Sequence, residues 1–390
     1  MTLRGLAWDH RRCWGPLDAS AASWRDAHAD LEISWDRQSL YEFGEGQLEE
    51  GLRRYDLVVF DHPFTGDVAA ANLMVPLDSY LSEGETARFA ADSVGGSWQS
   101  YQAEGHQWAL PIDAAAQVAS FRPDLLEAYA EGPPRSHAEV LALGQQLRRD
   151  GRWIGLPFVP IDAMCLVLSL AAGAGDPIAV EGCFLAPAAV ERIVDELRAF
   201  AAIAHPLSAT WNPILCYDHM VAHDDVVYVP YAFGYVNYAV PADRRRLAFT
   251  DIPMDGARGA LLGGAGIGVS AFSRNCEAAI RYALHLCSVD YQRGDYVRFG
   301  GQPGSLSAWR DPAVNAETGS FFADTLRTLT RSFRRPTHPG FVAFFRKVSH
   351  SAAEAIAGRI SAAELAAILN RSYAEVLRAV GVPEWKRGQA

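Results

Sequence analysis

The chain has 390 residues, of which 49% are hydrophobic, and it carries a formal net charge of −11 at pH 7. A chain of this length exceeds one ordinary hydrophobic core, so we expect two lobes of ordinary domain size. The acidic balance disfavours nucleic acid and anionic membrane surfaces as partners, because both are bound by clustered cations.

The first third of the chain predicts alternating strands and helices. Strands are expected at Leu3–Trp8, Leu31–Trp35 and Leu57–Phe60, with helices at Pro16–His28 and Leu48–Arg54 between them. Strands that alternate with helices form parallel βαβ units. We therefore expect an α/β fold whose first lobe is built on a parallel sheet.

Beyond residue 108 the pattern predicts extended segments that pass between the lobes. The run Ala109–Asp113 continues through Gln117–Phe121 and ends before Pro123, whose ring cannot donate to a strand ladder. We expect the chain to cross between lobes near Ala109–Asp113 and again near Ala239–Thr250. No stretch reaches the ~18 apolar residues that a membrane helix needs, and the richest one, Ala163–Ala174, predicts a buried helix.

The rest of the chain predicts further helices and two strands. Helix starts are expected at a capping box, at a proline and at an N-cap asparagine, namely Ser136 with Glu139, Pro187, Asn275, and a second box of Ser361 with Glu364. Strands are expected at Val226–Tyr231 and at Ile267–Phe272. The last sixty residues are therefore expected to be largely helical.

The glycine run Gly263–Gly268 has the composition of a nucleotide-binding loop but not its context. The dinucleotide fingerprint needs a strand before the glycines and a helix that opens on them. Here a strand-like segment follows, and the next helix waits until Asn275. Because glycine also permits close approach of a ligand or of another segment, we interpret the run as a site of close packing.

Two of the predicted strands end in the same dipeptide. Asp9-His10 follows the first strand, and Asp61-His62 follows the third. Ligands bind outside the carboxyl ends of parallel strands, so four ionisable side chains would point into one cleft, where His10 or His62 could act as a general base oriented by an Asp. In the alternative interpretation, each Asp caps a helix and each His packs against its neighbours.

Other aromatic and polar residues are candidates for lining a ligand site. The segment Tyr228–Tyr238 is rich in tyrosine, whose flat apolar face and polar tip suit a polyol or a ring-bearing ligand. Asp113 and the pair Asp218-His219 could also ligate a divalent metal. Because no spacing shows that these groups converge, we expect no metal and no cofactor.

Several short motifs occur in a distinctive order. They are Trp8-Asp9-His10, Tyr55–Phe60 leading to Val75–Asp78, Ala109–Asp113, Gly263–Ser270, Gly300–Ser305 and the tail from Arg335 to Leu377. This order resembles the family 1 extracellular solute-binding proteins, the maltose-binding-protein-like class. The resemblance implies an α/β, two-lobed periplasmic-binding-protein-like fold of type II, with a ligand cleft between lobes that close about a hinge.

The resemblance also implies lobe limits and site residues. The N-terminal lobe would comprise 1–110 and 245–305, and the C-terminal lobe 111–244 and 306–390. Two of the implied ligand-binding residues, Asp113 and Gln302, would lie near the hinge. The full implied set is Trp8, Asp9, His10, Arg11, Asp61, His62, Asp113, Trp211, Asn212, Tyr231, Tyr235 and Gln302.

The start of the chain and its cysteines bear on location. The six cysteines show no disulfide or zinc spacing, so we expect buried thiols in a reducing compartment. Folded pattern begins at Leu3, which leaves no room for a secretory leader. We therefore expect a cytoplasmic protein, or a periplasmic one if a leader was removed, and the missing leader puts delivery to a transporter in doubt.

Two classes of function follow from these observations. The first is binding of a small polar organic ligand in an interlobe cleft, with an ABC transporter permease as a partner. The alternative is a cytosolic enzyme on the same fold that uses Asp/His acid–base or metal-assisted chemistry on a small organic substrate. Analogy of fold favours binding. Whether the chain catalyses a reaction stays open, as do its ligand and its oligomeric state.

Overall fold

The computed structural model describes residues 2–27, 31–46, 52–240, 245–254 and 259–381. The chain divides into two compact units, each assembled from separate stretches. Unit 1 comprises Met1–Ala115, Leu262–Thr318 and Thr337–Val342, and unit 2 comprises Ala116–Leu261, Gly319–Pro336 and Ala343–Ala390. The lobe limits expected from the sequence differ from these units at 111–115, 245–261, 306–318 and 337–342, and they stay a prediction.

The described residues form strands, α-helices and short 3-10 helices, the last at His62–Phe64, Leu77–Ser79, Pro206–Thr210 and Val236–Tyr238. In chain order the strands are β1 (Thr2–Trp8), β2 (Glu32–Gln38), β3 (Leu57–Phe60), β4 (Gln102–Ala103), β5 (His106–Gln107), β6 (Leu110–Phe121), β7 (Trp153–Ile154), β8 (Val226–Phe233), β9 (Ala248–Thr250) and β10 (Leu262–Val269). The α-helices are α1 (Arg11–Ala27), α2 (Leu40–Glu45), α3 (Thr65–Ala70), α4 (Glu83–Asp92), α5 (Ser97–Ser100), α6 (Pro123–Leu126), α7 (His137–Arg149), α8 (Pro160–Ala174), α9 (Pro187–Ala201), α10 (Pro213–Ala222), α11 (Cys276–Leu286), α12 (Val289–Arg293), α13 (Asp295–Arg298), α14 (Leu306–Arg310), α15 (Pro312–Glu317), α16 (Phe321–Thr330), α17 (Phe341–Ile356) and α18 (Ala362–Ala379).

Unit 1 is built on a mixed sheet in the order β2-β1-β3-β10-β6. β1 runs parallel to both of its neighbours, with Gly5 opposite Trp35 in β2 and Leu6 opposite Val58 in β3. β10 returns antiparallel to β3. The parallel βαβ arrangement predicted for the first third of the chain is confirmed.

Burial in β3 shows why this sheet lies at the centre of unit 1. Consecutive residues of a strand face opposite sides of the sheet, and here Leu57 and Val59 pack into one hydrophobic cluster while Val58 and Phe60 pack into another. Because both faces are covered, all four residues are buried. A strand covered on both sides reads as a continuous apolar run, which is what the sequence shows.

The glycine run packs closely, as predicted. It also lies within strand β10, which begins at Leu262 rather than at the expected Ile267. Gly264 has φ +112°, and a Cβ at that position would lie 2.4 Å from the carbonyl oxygen of Asp113. A Cβ on Gly266 would meet the ring of Tyr101 at 2.5 Å. These glycines therefore let other segments of the chain approach β10 closely. This packing explains the glycine-rich run, and no nucleotide-binding role is needed to account for it.

The first helix differs from the prediction. α1 begins at Arg11 rather than at Pro16, and Pro16 lies inside it. Proline removes one helical hydrogen bond, but burial of Cys13 and Leu17 on the inner face of α1 outweighs that loss. His28 and most of the predicted helix at 48–54 lie outside the described residues.

Unit 2 contains a second part of the sheet together with a buried helix. The second half of β6 pairs antiparallel with β8, and β8 pairs parallel with β7. Helix α8 is buried from Asp162 to Gly173, which confirms the buried helix predicted at Ala163–Ala174. Among the described residues, no helix is long and apolar enough to cross a membrane.

The second crossing expected at Ala239–Thr250 does not occur there. Strand β9 pairs antiparallel with β6, with Ser120 opposite Phe249, and this pairing keeps the segment in unit 2. The chain returns to unit 1 only after Leu261. A three-residue strand such as β9 carries no strong sequence signal.

The cysteines agree with the prediction in part. All six lie in the described ranges, none of them forms a disulfide, and four of them are buried. Cys183 is exposed and Cys276 is half-buried, so the expectation of buried thiols is wrong for these two. The reducing compartment stays a prediction.

Unit 1 closes on itself where α3 meets the segment Thr337–Val342. A Cβ on Gly66 would lie 1.6 Å from the carbonyl oxygen of Thr337. We expect Gly66→Ala to destabilise the protein by about 1–3 kcal/mol, the usual cost of overpacking a tight contact. Gly84 in α4 has no atom within 4 Å of its Cβ position. In urea denaturation, the control Gly84→Ala should be neutral or stabilising by up to ~1 kcal/mol, and equal midpoints for the two variants would contradict the expectation.

Candidate functional site

Both Asp-His pairs of unit 1 follow neighbouring parallel strands. Leu6 in β1 lies opposite Val58 in β3. If this register is continued past the strand ends, Asp9 falls opposite Asp61 and His10 opposite His62. The two dipeptides therefore occupy the same edge of one sheet, as the sequence suggested.

Asp61 acts as a cap and is also close to His62. Its Oδ1 accepts a hydrogen bond from the backbone N–H of His62 at 2.8 Å and lies 3.2 Å from Nδ1 of the same residue. The hydroxyl of Thr65 donates to the carbonyl oxygen of His62 at 2.7 Å. Both side chains of the pair are buried. The capping interpretation is therefore confirmed for Asp61, while a role in binding stays a prediction.

The first pair is more open than the second. Asp9 and Arg11 are exposed and His10 is half-buried. Nδ1 of His10 accepts a hydrogen bond from the backbone N–H of Arg12 at 3.1 Å, so His10 caps the start of α1. The capping role falls to the His in this pair and to the Asp in the other.

A buried ion pair joins α1 to β6 inside unit 1. Nε of Arg12 donates to Oδ2 of Asp113 at 2.8 Å, and Nη2 donates to Oδ1. The side chains are only 5% and 0% exposed. The guanidinium also lies 5.9 Å from the centre of the Trp8 ring. Trp8 and Asp113, both predicted site residues, are thus brought together by an arginine that the prediction did not include.

Arg11 was predicted to bind the ligand, but Arg12 is the arginine that is buried beside Asp113. One helical residue turns the side chain by about 100°, so neighbouring arginines of α1 face different environments. Arg12 falls on the same buried face as Cys13 and Pro16, whereas Arg11 points to solvent. Helical periodicity from residue 11 would have separated them, but the helix was expected to begin at Pro16.

Burial and charge act in opposite directions on Asp113. Burial raises the pKa of its carboxyl and neighbouring Asp61 raises it further, while Arg12 opposes both by its charge and hydrogen bonds. Burial also raises the pKa of the adjacent Cys13 thiol well above its usual value. Cys13 therefore stays protonated and is no nucleophile at neutral pH.

Gln302, the last predicted residue in unit 1, is bound to the backbone of β6. Its side-chain Nε2 donates to the backbone carbonyl oxygen of Ala114 at 2.8 Å. The backbone carbonyl oxygen of Gln302 accepts a hydrogen bond from the N–H of Ala114 at 3.1 Å. These bonds hold the strand next to Asp113. Gln302 thus has a structural role, and its contact with a ligand stays a prediction.

In unit 2, Trp211 and Asn212 have clear local roles. The Trp211 ring is buried and stacks on His205, with ring centres 4.8 Å apart and planes 9° apart. Oδ1 of Asn212 accepts from the N–H of Leu215 at 2.9 Å, so Asn212 caps α10. Pairing of Trp211 with a histidine was not expected.

The two predicted tyrosines of unit 2 differ from each other. Tyr231 is fully buried and its hydroxyl lies 2.7 Å from Nε2 of His137, whose Nδ1 contacts Glu196. Tyr235 packs its ring against Tyr217 and Tyr238, at centre distances of 6.4 and 6.5 Å. The hydroxyl of Tyr231 therefore serves a polar chain within unit 2, and the part of either tyrosine in binding stays a prediction.

Comparison with solved structures identifies the fold. Maltose-bound MalE3 of T. maritima matches with a TM-score of 0.80 at 17% identity, covering 96% of this chain and 100% of that one. The GacH receptor of Streptomyces glaucescens, solved unliganded and with acarbose, gives 0.79 at 16% identity and covers 97% and 98%. The chain has the two-lobed periplasmic-binding-protein fold.

Further neighbours with this periplasmic-binding-protein fold are similar in extent. An ABC transporter solute-binding protein of Agrobacterium radiobacter K84, in complex with ribitol, gives a TM-score of 0.77 at 18% identity and covers 97% of this chain and 98% of that one. No protein-family model matches the sequence. The α/β fold and the resemblance to maltose-binding-protein-like proteins, both expected from the sequence, are confirmed.

The contribution of the buried Arg12–Asp113 ion pair to the stability of this periplasmic-binding-protein fold can be tested directly. We expect Arg12→Met and Asp113→Leu each to lower the free energy of unfolding by about 3–5 kcal/mol, because each leaves a buried charge without its partner. The double variant should lose less than either single change. Urea denaturation of the four proteins measures this coupling.

The exposed pair Lys347 and Glu375, with N–O distance 3.0 Å, is the matched control. Exposed ion pairs contribute little to stability, so Lys347→Met should leave the urea midpoint unchanged. Additive losses for the Arg12 and Asp113 variants would show that the pair is not coupled.

Proposed function

We propose that this chain binds a small polar organic ligand as a solute-binding protein does. The observation that carries the proposal is a fold match over almost the whole chain with proteins solved with maltose, acarbose, ribitol and α-D-tagatose. Fold alone does not determine function. The chemistry of the predicted site residues must therefore also suit such a ligand.

The residues of unit 1 offer hydrogen-bonding groups whose charges partly cancel. Arg12 and Asp113 form a buried pair, and Asp61 and His62 lie beside each other at the end of β3. Paired charges retain their polarity while their summed field is small. Such a set suits a ligand with several hydroxyl or amide groups better than a strongly charged one.

The residues of unit 2 supply aromatic surface. Tyr235 and Tyr238 pack near Tyr217, and the hydroxyl of Tyr238 donates to Asp218 at 2.8 Å. Tyrosine combines an apolar face with a polar tip, which suits a ring or an extended polyol. We propose that Tyr235 contributes such a face to the ligand site.

The partner and the location follow from the same proposal. Solute-binding proteins named among the neighbours belong to ABC transporters, so we propose a transporter permease as the partner of this chain. The cytoplasmic location expected from the sequence stays a prediction. The enzyme alternative gains no support from the neighbours, whose names describe binding proteins.

The proposal is tested by thermal unfolding and calorimetry with maltose, ribitol and tagatose as probes. A ligand that binds only the folded state stabilises it by about 2.7 kcal/mol at a concentration of one hundred times Kd. We expect at least one probe to raise Tm in a saturable way. Absence of any saturable shift or heat across a wider panel of neutral sugars and polyols would contradict the proposal.

The histidines of the two Asp-His dipeptides provide the second test. With a bound probe, we expect His10→Ala and His62→Ala each to weaken binding by about fivefold, the effect of losing one hydrogen bond of ~1 kcal/mol. The control is His350→Ala, because His350 is exposed on α17. If both variants lose stability but keep the full affinity, the histidines cap and pack only.

A further inference from the structure

A group of imidazoles surrounds one carboxylate in unit 2. We call His205, His219, His223 and Asp225 the histidine cluster. His219 lies on α10, and His223 follows one helical turn later at the end of the helix, with ring centres 4.4 Å apart. Asp225 comes directly before β8. The i, i+4 spacing of His219 and His223, a signal that the sequence prediction did not use, places two imidazoles on one helix face.

The carboxylate of Asp225 lies between two of these rings. Its Oδ1 is 2.8 Å from Nε2 of His219, and its Oδ2 is 3.2 Å from Nε2 of His205. Ligand atoms of these three residues all lie within 4.8 Å of one another. Imidazole nitrogen and carboxylate oxygen are the donor set that suits zinc and other first-row transition metals.

The hydrogen bonds distinguish the two histidines. Nδ1 of His205 accepts from the backbone N–H of Leu207 at 3.1 Å, so a neutral His205 carries its proton on Nε2 and donates it to Asp225. A nitrogen that carries a proton offers no lone pair to a metal. His219 differs, because no described residue donates a hydrogen bond to its Nδ1. The ring proton of His219 can therefore lie on Nδ1, which leaves the lone pair of Nε2 available to a metal.

We propose that His219, His223 and Asp225 bind a divalent first-row transition-metal ion such as Zn²⁺. His219 and His223 would each give one nitrogen and Asp225 its Oδ1, and water would complete the coordination. His205 would orient Asp225 through its Nε2–H, because ligating carboxylates are commonly held by an outer hydrogen bond. Nothing in the ligand-binding proposal requires this site.

The surroundings hold these groups in place. Nη1 of Arg122 donates to the carbonyl oxygens of Met220 and His223, at 2.8 and 3.1 Å, and so fixes the end of α10. Trp211 stacks on His205 and lies 4.7 Å from the ring of His219. Preorganised ligands lose less entropy when they bind. A metal here would join the end of α10 to the start of β8 and stabilise unit 2.

The site remains open to solvent. The side chains of His205, His219 and Asp225 are 10%, 15% and 36% exposed, and His223 is exposed. An ion can therefore enter without unfolding the unit. The exposed ring of His223 can also rotate toward the metal.

The test is calorimetric titration of the full, tag-free chain with ZnCl₂, together with Tm measured with and without Zn²⁺. We expect one saturable site and a Tm that rises with Zn²⁺. His219→Gln, His223→Ala and Asp225→Asn should each weaken binding at least about tenfold, which is the lower end of the loss seen even for outer-shell residues. The control His350→Ala should leave the titration unchanged.

A change at His205 distinguishes a residue that orients Asp225 from one that binds the metal itself. His205→Gln should weaken binding less than His219→Gln, because the proposal makes His205 an orienting residue. Since His223 is exposed, His223→Ala stays informative even if a change at Asp225 impairs folding. Unaltered Zn²⁺ binding in the His219→Gln/Asp225→Asn double variant, or no saturable Zn²⁺ binding to the parent chain, would overturn the proposal.

Discussion

The organisation of unit 1 depends on the part of β6 around Asp113. The backbone of Asp113 is approached so closely by β10 that Gly264 must lack a side chain and adopt φ +112°. The side chain of Asp113 is paired with Arg12 and buried. One residue therefore fixes the packing of a neighbouring strand and the position of α1. A charged side chain is stable in the interior only when it is paired. The guanidinium of Arg12 must therefore lie beside the carboxylate of Asp113.

The strand-end residues show that capping and binding draw on the same groups. Asp61 caps the turn after β3, while His10 caps the start of α1. A short polar side chain at a strand end satisfies backbone N–H groups that would otherwise lack partners. The same position faces the edge at which α/β proteins bind ligands. For this reason the two interpretations of the Asp-His pairs do not exclude each other.

Unit 2 uses its aromatic and imidazole groups in separate places. Trp211 packs against the histidine cluster through its contacts with His205 and His219. Tyr235 belongs instead to a group of aromatic rings with Tyr217 and Tyr238. Residue type alone suggested one aromatic lining. The tertiary structure divides it, because side chains distant in sequence determine which rings meet.

The sequence by itself determined the α/β class, the parallel strands of unit 1 and the packing role of the glycine run. These properties follow from local patterns: apolar runs that alternate with helices, and glycines without a helix after them. Tertiary structure alone decided that Arg12 and not Arg11 is buried, that β9 stays in unit 2, and that His205, His219 and Asp225 meet. The first two depend on contacts between residues far apart in the chain. The third depends on how the segment before α10, the helix itself and the start of β8 pack together, which residue spacing does not record.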